Sequence, residues 1–124
     1  MVSRDEYERI LGDLLDELPE CFFRKLNLGV VISDRYKPHP QSRGDDLLVL
    51  GEYQRSTLGR QIVMYWPAFS RLYGHLSPLR ARKELRAILR HEFRHHMEAL
   101  AGENALELAD MEQIRRYLGQ GTQD

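Results

Sequence analysis

Apolar residues recur at helical spacing near both ends of the chain, with short strand-like runs between them. Tyr7, Ile10, Leu11, Leu14, Leu15 and Leu18 form the stripe of an amphipathic helix, opened by a capping box of Ser3 with Glu6 and closed by Pro19. Leu28 to Ile32 is short and apolar and predicts a strand, and Ser33 to Asp45, with Pro38, Pro40 and Gly44, predicts a loop. Leu47 to Tyr53 and Gln61 to Trp66 predict two more strands, paired as a hairpin about the turn-forming stretch Arg55 to Gly59. A short turn of helix is expected near Ala68 to Tyr73. Ser77 as N-cap and Pro78 at the first position then open a long helix, whose run from Leu79 to Ala101 holds no proline or glycine until Gly102, the expected stop. A last helix, expected from near Ala105, carries the stripe Leu106, Ala109, Ile114 and Tyr117. One helix, three strands, a helical turn and two helices predict an α+β fold with the strands on one side of the core.

The long helix also carries candidate chemistry. Its apolar side gathers Leu85, Ile88, Leu89, Phe93, His96 and Leu100, and in the motif His91-Glu92-Phe93-Arg94-His95 the two histidines fall at that side's edge. Residues four apart on a helix have Cβ atoms about 5–6 Å apart, so two imidazoles can converge on one zinc ion at about 2.0–2.1 Å. Glu92 is turned about 100° from His91 and suits a different task, taking a proton from metal-bound water. Its place on the core-facing flank predicts a pKa raised by burial, toward the range of a general base.

Composition narrows the setting. A chain of 124 residues, 42% hydrophobic and 30% charged, can bury its own core, which predicts one domain over 1–124 with an ordered core of about 4–118. A formal net charge of −1 supplies no overall attraction to nucleic acid or to an anionic membrane. Cys21 is the only cysteine, so no intrachain disulfide forms, and its expected role is that of a small buried hydrophobe. An amino terminus charged from the outset, with no apolar run of about 18 residues, predicts a cytoplasmic protein without a membrane partner. Nothing in the pattern specifies an oligomer.

Leu50-Gly51-Glu52-Tyr53, Gln61 to Trp66 and Leu89 to His96 carry a resemblance that runs from Tyr7 to Leu118. The chain resembles the small bacterial zincin-like metallopeptidases, built from an amino-terminal helix, a short sheet and an HExxH helix. The resemblance implies His91 and His95 as zinc ligands, Glu92 as catalytic base, and a peptide or protein substrate lying beside a strand. The commoner family pattern is HExxHxxGxxD, in which a glycine ends the helix and an aspartate supplies the third ligand. Here Glu98 and Ala101 occupy those places, so the third ligand has to be sought elsewhere.

Counting along two antiparallel helices selects Asp110. About eight residues, or about 12 Å, separate the level of Phe93 from Ala101, and the same distance back along a helix starting near Ala105 reaches the neighbourhood of Asp110. A carboxylate bracketed by that helix's apolar stripe is costly without a cation. Two rivals stay open: Glu98, which shares a face with the histidines but lies about a turn and a half beyond their midpoint and suits a supporting role better, and Glu107, a weaker candidate near the stripe's edge and the helix start. The competing reading is that Asp110 caps a helix or pairs with an arginine.

His96, in the middle of the apolar face, reads as a satisfied core histidine, and His39 and His75 as surface residues. Arg82, Arg86, Arg90 and Arg94 recur every four residues and read first as a solvated face. The favoured function is therefore a zinc-dependent metallopeptidase. The alternative is a non-catalytic, metal-stabilised module that binds a protein or nucleic acid through the arginine face. The Glu92-x-x-His95 spacing also occurs in di-metal bundles that take iron or manganese, but those need four such helices and one is predicted here.

Overall fold

The structure, a computed structural model, describes residues 1–40 and 48–121. Residues 41–45 of the expected loop and Leu47 of the expected strand lie outside the described residues. Helix α1 spans Arg4–Asp16. Its capping box forms, with Ser3 Oγ accepting the Glu6 N–H at 3.1 Å and the Glu6 carboxylate accepting the Ser3 N–H at 3.1 Å. A 3-10 turn over Glu20–Phe23 follows, which the sequence pattern does not announce.

Strand β1 covers Val30–Ser33, β2 Gly51–Ser56 and β3 Gly59–Tyr65, in the order β1-β3-β2. The hairpin forms in register from Gly51 opposite Met64 to Ser56 opposite Gly59, and its loop is only Thr57 and Leu58, tighter than expected. Gly59 has φ of +143°, and the Asn27 side chain fills the space a Cβ would need while accepting the Arg60 N–H at 2.9 Å. β1 runs parallel to β3, Val30 opposite Ile62, which makes β3 the central strand.

Helix α2, Trp66–Tyr73, leaves the end of β3 directly with Pro67 in its first turn, two residues earlier than expected. Helix α3 spans Pro78–Gly102, with Ser77 Oγ accepting the Arg80 N–H at 3.3 Å. It ends at Gly102, as expected, but the left-handed turn that follows falls on Asn104. Asn104 takes the left-handed conformation, φ +56°, and the N–H groups of Asn104 and Ala105 bond back to Ala101 and Leu100. Asparagine tolerates that conformation because its short polar side chain bonds locally. Helix α4 consequently starts at Leu108 rather than near Ala105.

Ile62 and Met64 of β3 face α1 and α3 and join Tyr7, Leu14, Phe69, Leu85, Leu89, Phe93 and Leu100 in one core, while Val63 and Tyr65 face a smaller cluster with Leu48 to Leu50. A fully buried side chain of this kind contributes about 1.5–3 kcal/mol. Buried residues run along α3 from Ala81 to Leu100, so the histidine motif stands on a helix packed against the core over most of its length. Among the described residues no helix is long and apolar enough to cross a membrane.

Candidate metal centre

His91 and His95 stand on the outward flank of α3, both exposed, and Glu92 is turned into the core side with 6% of its surface accessible. Two nitrogens bound to one zinc at about 2.0–2.1 Å with a near-tetrahedral angle stand roughly 3.3 Å apart. His91 Nε2 and His95 Nε2 stand 3.2 Å apart, with the rings almost perpendicular at 88°. The separation of the two nitrogens matches the one expected of a pair sharing a single small cation.

Glu92 is held from the sheet side. Its carboxylate accepts the backbone N–H of Tyr53, and burial raises its pKa against the opposing pull of His91, His95 and that N–H. The close approach depends on Gly51: a Cβ there would lie 3.0 Å from Ile88 Cγ2 and 3.1 Å from Glu92 Cγ. Sequence reasoning assigned neither Gly51 nor Tyr53 a part in the site. A glycine inside a strand is itself a signal of close backbone approach, whereas a backbone N–H leaves no trace in side-chain pattern.

Behind the site, His96 is fully buried and doubly bonded, as expected of a core histidine. Its Nε2 faces the Arg24 carbonyl at 2.7 Å and must donate, so Nδ1 accepts from Tyr53 Oη at 2.8 Å. Burial lowers its pKa, keeping the ring neutral.

A cleft of about 1040 Å³ lies over the motif, with His91, Glu92, His95, Glu98 and Ile88 on the α3 side and Leu50, Gly51 and Tyr53 opposite. His39 and Pro40 also line it, so His39 is nearer the site than a mere surface residue would be. β2 forms the wall. Tyr65 N–H bonds to Leu50 C=O at 3.1 Å, which fixes the alternation so that residues 50, 52 and 54 face β3 while Gly51, Tyr53 and Arg55 turn their backbone groups to the other edge.

Asp110 does not join the histidines. Because α4 starts three residues later than expected, Asp110 falls in its first turn, facing the 3-10 turn. It forms an ion pair with Arg24 and accepts the Glu107 N–H at 3.0 Å, lining a separate small pocket with Glu20, Cys21 and Gln113. The guanidinium and the N–H meet the cost of its burial, and no metal is needed for that. Glu98 reaches Arg94 at 3.3 Å on the exposed face, and Glu107 is exposed. Among the described residues no third His, Cys, Asp or Glu groups with the pair.

The arginine row is partnered within the fold. Arg82 reaches Asp13 and Glu17, Arg86 reaches Glu17, Arg90 lies over the Tyr117 ring at 4.7 Å, and Arg94 meets Glu98. The first two tie α3 to α1, and the third ties α3 to α4.

No protein-family model matches the chain, and no curated protein matches it. A solved structure, that of a conserved hypothetical protein from Thermo thermophilus, shares its fold with a TM-score of 0.67 and is 31% identical over 82% of this chain and 99% of that one. The chain belongs to the same family as that protein. The match spans nearly the whole of that protein, so the α+β arrangement of helices and mixed sheet is common to the two.

Proposed function

We propose that this protein is a zinc-dependent metallopeptidase with a minimal zincin-like fold, in which His91 and His95 hold the metal and Glu92 is the general base. The observation that carries the reading is the pair of Nε2 atoms 3.2 Å apart, beside a buried carboxylate, on the floor of an open cleft. Zinc bound there would supply a water of pKa about 7 and a Lewis acid for the peptide carbonyl. Glu92, with its raised pKa and its carboxylate fixed by the Tyr53 N–H, takes the proton from the attacking water and returns it to the leaving amine. The outward edge of β2, with the backbone of Gly51 and Arg55 beside the cleft, can pair with an extended substrate chain.

The exposed flank of α3 leaves room for water and substrate around the two imidazoles, as a catalytic site requires and a closed structural site does not. The alternative, a non-catalytic module binding through the arginine face, draws less support, because the first half of that row, Arg82 and Arg86, already pairs with Asp13 and Glu17. Incubation with a peptide mixture, read by mass spectrometry, tests the proposal. Zinc-loaded wild type should cleave and zinc-loaded Glu92→Gln should not, while both bind metal equally. Cleavage that survives in Glu92→Gln would remove the base from the account.

A further inference from the structure

On the far side of His91 a second groove opens between α3 and α4. Its cavity is about 830 Å³, and its floor is apolar: Met97, Leu106, Met111, Ile114 and Leu118. α4 is held to the body through the 3-10 turn and through Tyr117 against Arg90. Met111 and Leu118 are 43% and 50% exposed, large apolar side chains facing water where an unused surface would carry polar ones. Methionines suit a floor that must accept more than one side-chain shape.

Two features state what belongs there. The groove is continuous with the candidate metal cleft, since Ala87, His91 and Glu98 line both. Its polar lining carries three arginines: Arg90 lies over Tyr117, while the well-exposed Arg94 and Arg115 pair with Glu98 and Glu112 at 3.3 and 3.0 Å. Arg94 is 77% exposed in its pairing with Glu98, so exchanging that partner for a substrate carboxylate costs little.

We propose that this groove binds the flank of the polypeptide substrate, selecting large apolar residues interspersed with acidic ones beyond the scissile bond. The assignment rests on the peptidase reading for calling the occupant a substrate. The chain crosses His91, drops apolar side chains between Met97 and Met111, and meets Arg94 and Arg115 with its carboxylates.

The test uses the full-length Glu92→Gln protein, so that no peptide is consumed, and three fluorescein-labelled peptides in a Gly-Ser frame carrying Leu-Glu-Phe-Glu, Leu-Lys-Phe-Lys or Ser-Glu-Ser-Glu. Anisotropy titration should rank the first tightest, by roughly tenfold or more over the other two. Met111→Glu, at a half-exposed position, should remove most of that advantage, and Arg94→Glu, on a largely exposed side chain, should shift preference from the Glu to the Lys peptide. Equal affinity for all three peptides, or a first-peptide affinity untouched by both substitutions, would overturn the proposal. So would a dimer in sedimentation that Met111→Glu splits, because the occupant would then be a second copy of the chain. Wild-type cleavage of the same peptides separates the two claims: selective binding without zinc-dependent cleavage keeps the groove and sinks the peptidase, and cleavage indifferent to both groove variants does the reverse.

Discussion

At the scale of single residues, the helix wheel alone separated His91 and His95 from Glu92, because a residue's place on α3 decides whether it meets water or the sheet. Burial of Glu92 has a consequence for stability. Below the ordinary carboxylate range the group is protonated in both the folded and unfolded chain and costs nothing. As pH rises through its raised folded value, the unfolded chain ionises freely while the folded one must carry a buried charge, so stability is lost on the alkaline side of that window. Metal-free Glu92→Gln should therefore be more stable than metal-free wild type at neutral pH, with the difference vanishing toward acid, as thermal melts across pH will show. A neutral variant that melts lower at pH 7 would contradict this. Asp110 makes a second residue-scale case. Its substitution by alanine strips the partner from Arg24 and from the Glu107 N–H and should cost about 1–3 kcal/mol of stability. Zinc affinity should stay unchanged, and a large loss in a zinc titration would return Asp110 to the metal.

At the scale of elements, the capping box of α1, the Ser77-Pro78 start of α3 and the three strands were legible because each rests on local chemistry written in a few adjacent residues. What was not legible was set at a distance. The parallel pairing of β1 with β3 is decided by which strand lies centrally over α3, and no turn signal encodes it. The end of α3 hinged on Asn104 rather than Gly102 adopting the left-handed conformation. That choice delayed α4 and carried Asp110 from the expected level of the histidines to the 3-10 turn. The contact of β2 with α3 is the element-scale feature on which the site depends. Gly51→Ala would place a methyl 3.0–3.3 Å from Ile88, Glu92 and Met64, pushing the strand away from the helix. It should destabilise the protein by roughly 1–3 kcal/mol and cut hydrolysis by more than that loss explains, since the Tyr53 N–H leaves Glu92. Unchanged stability and activity in denaturant and kinetic measurements would show that the strand has room to spare.

At the scale of the whole molecule, the histidine pair stands on the outside of a core built from other residues. Tyr7, Phe69, Phe93 and Leu100 pack without contact with the exposed imidazoles' open side, so chelation should leave the chain folded. Its stability should fall only by the binding linkage, about 2.7 kcal/mol at zinc a hundredfold above the dissociation constant. Unfolding on chelation, seen by circular dichroism, would instead make the metal structural. The proposed chemistry stands on one ion held between two side chains. The direct measurement is the zinc content of protein purified without added metal, by elemental analysis, beside His91→Ala and His95→Ala. About one equivalent in wild type, lost in both variants, is the predicted result. Less than about a tenth of an equivalent in wild type, with none taken up on titration, or zinc retained in full by either variant, would contradict it.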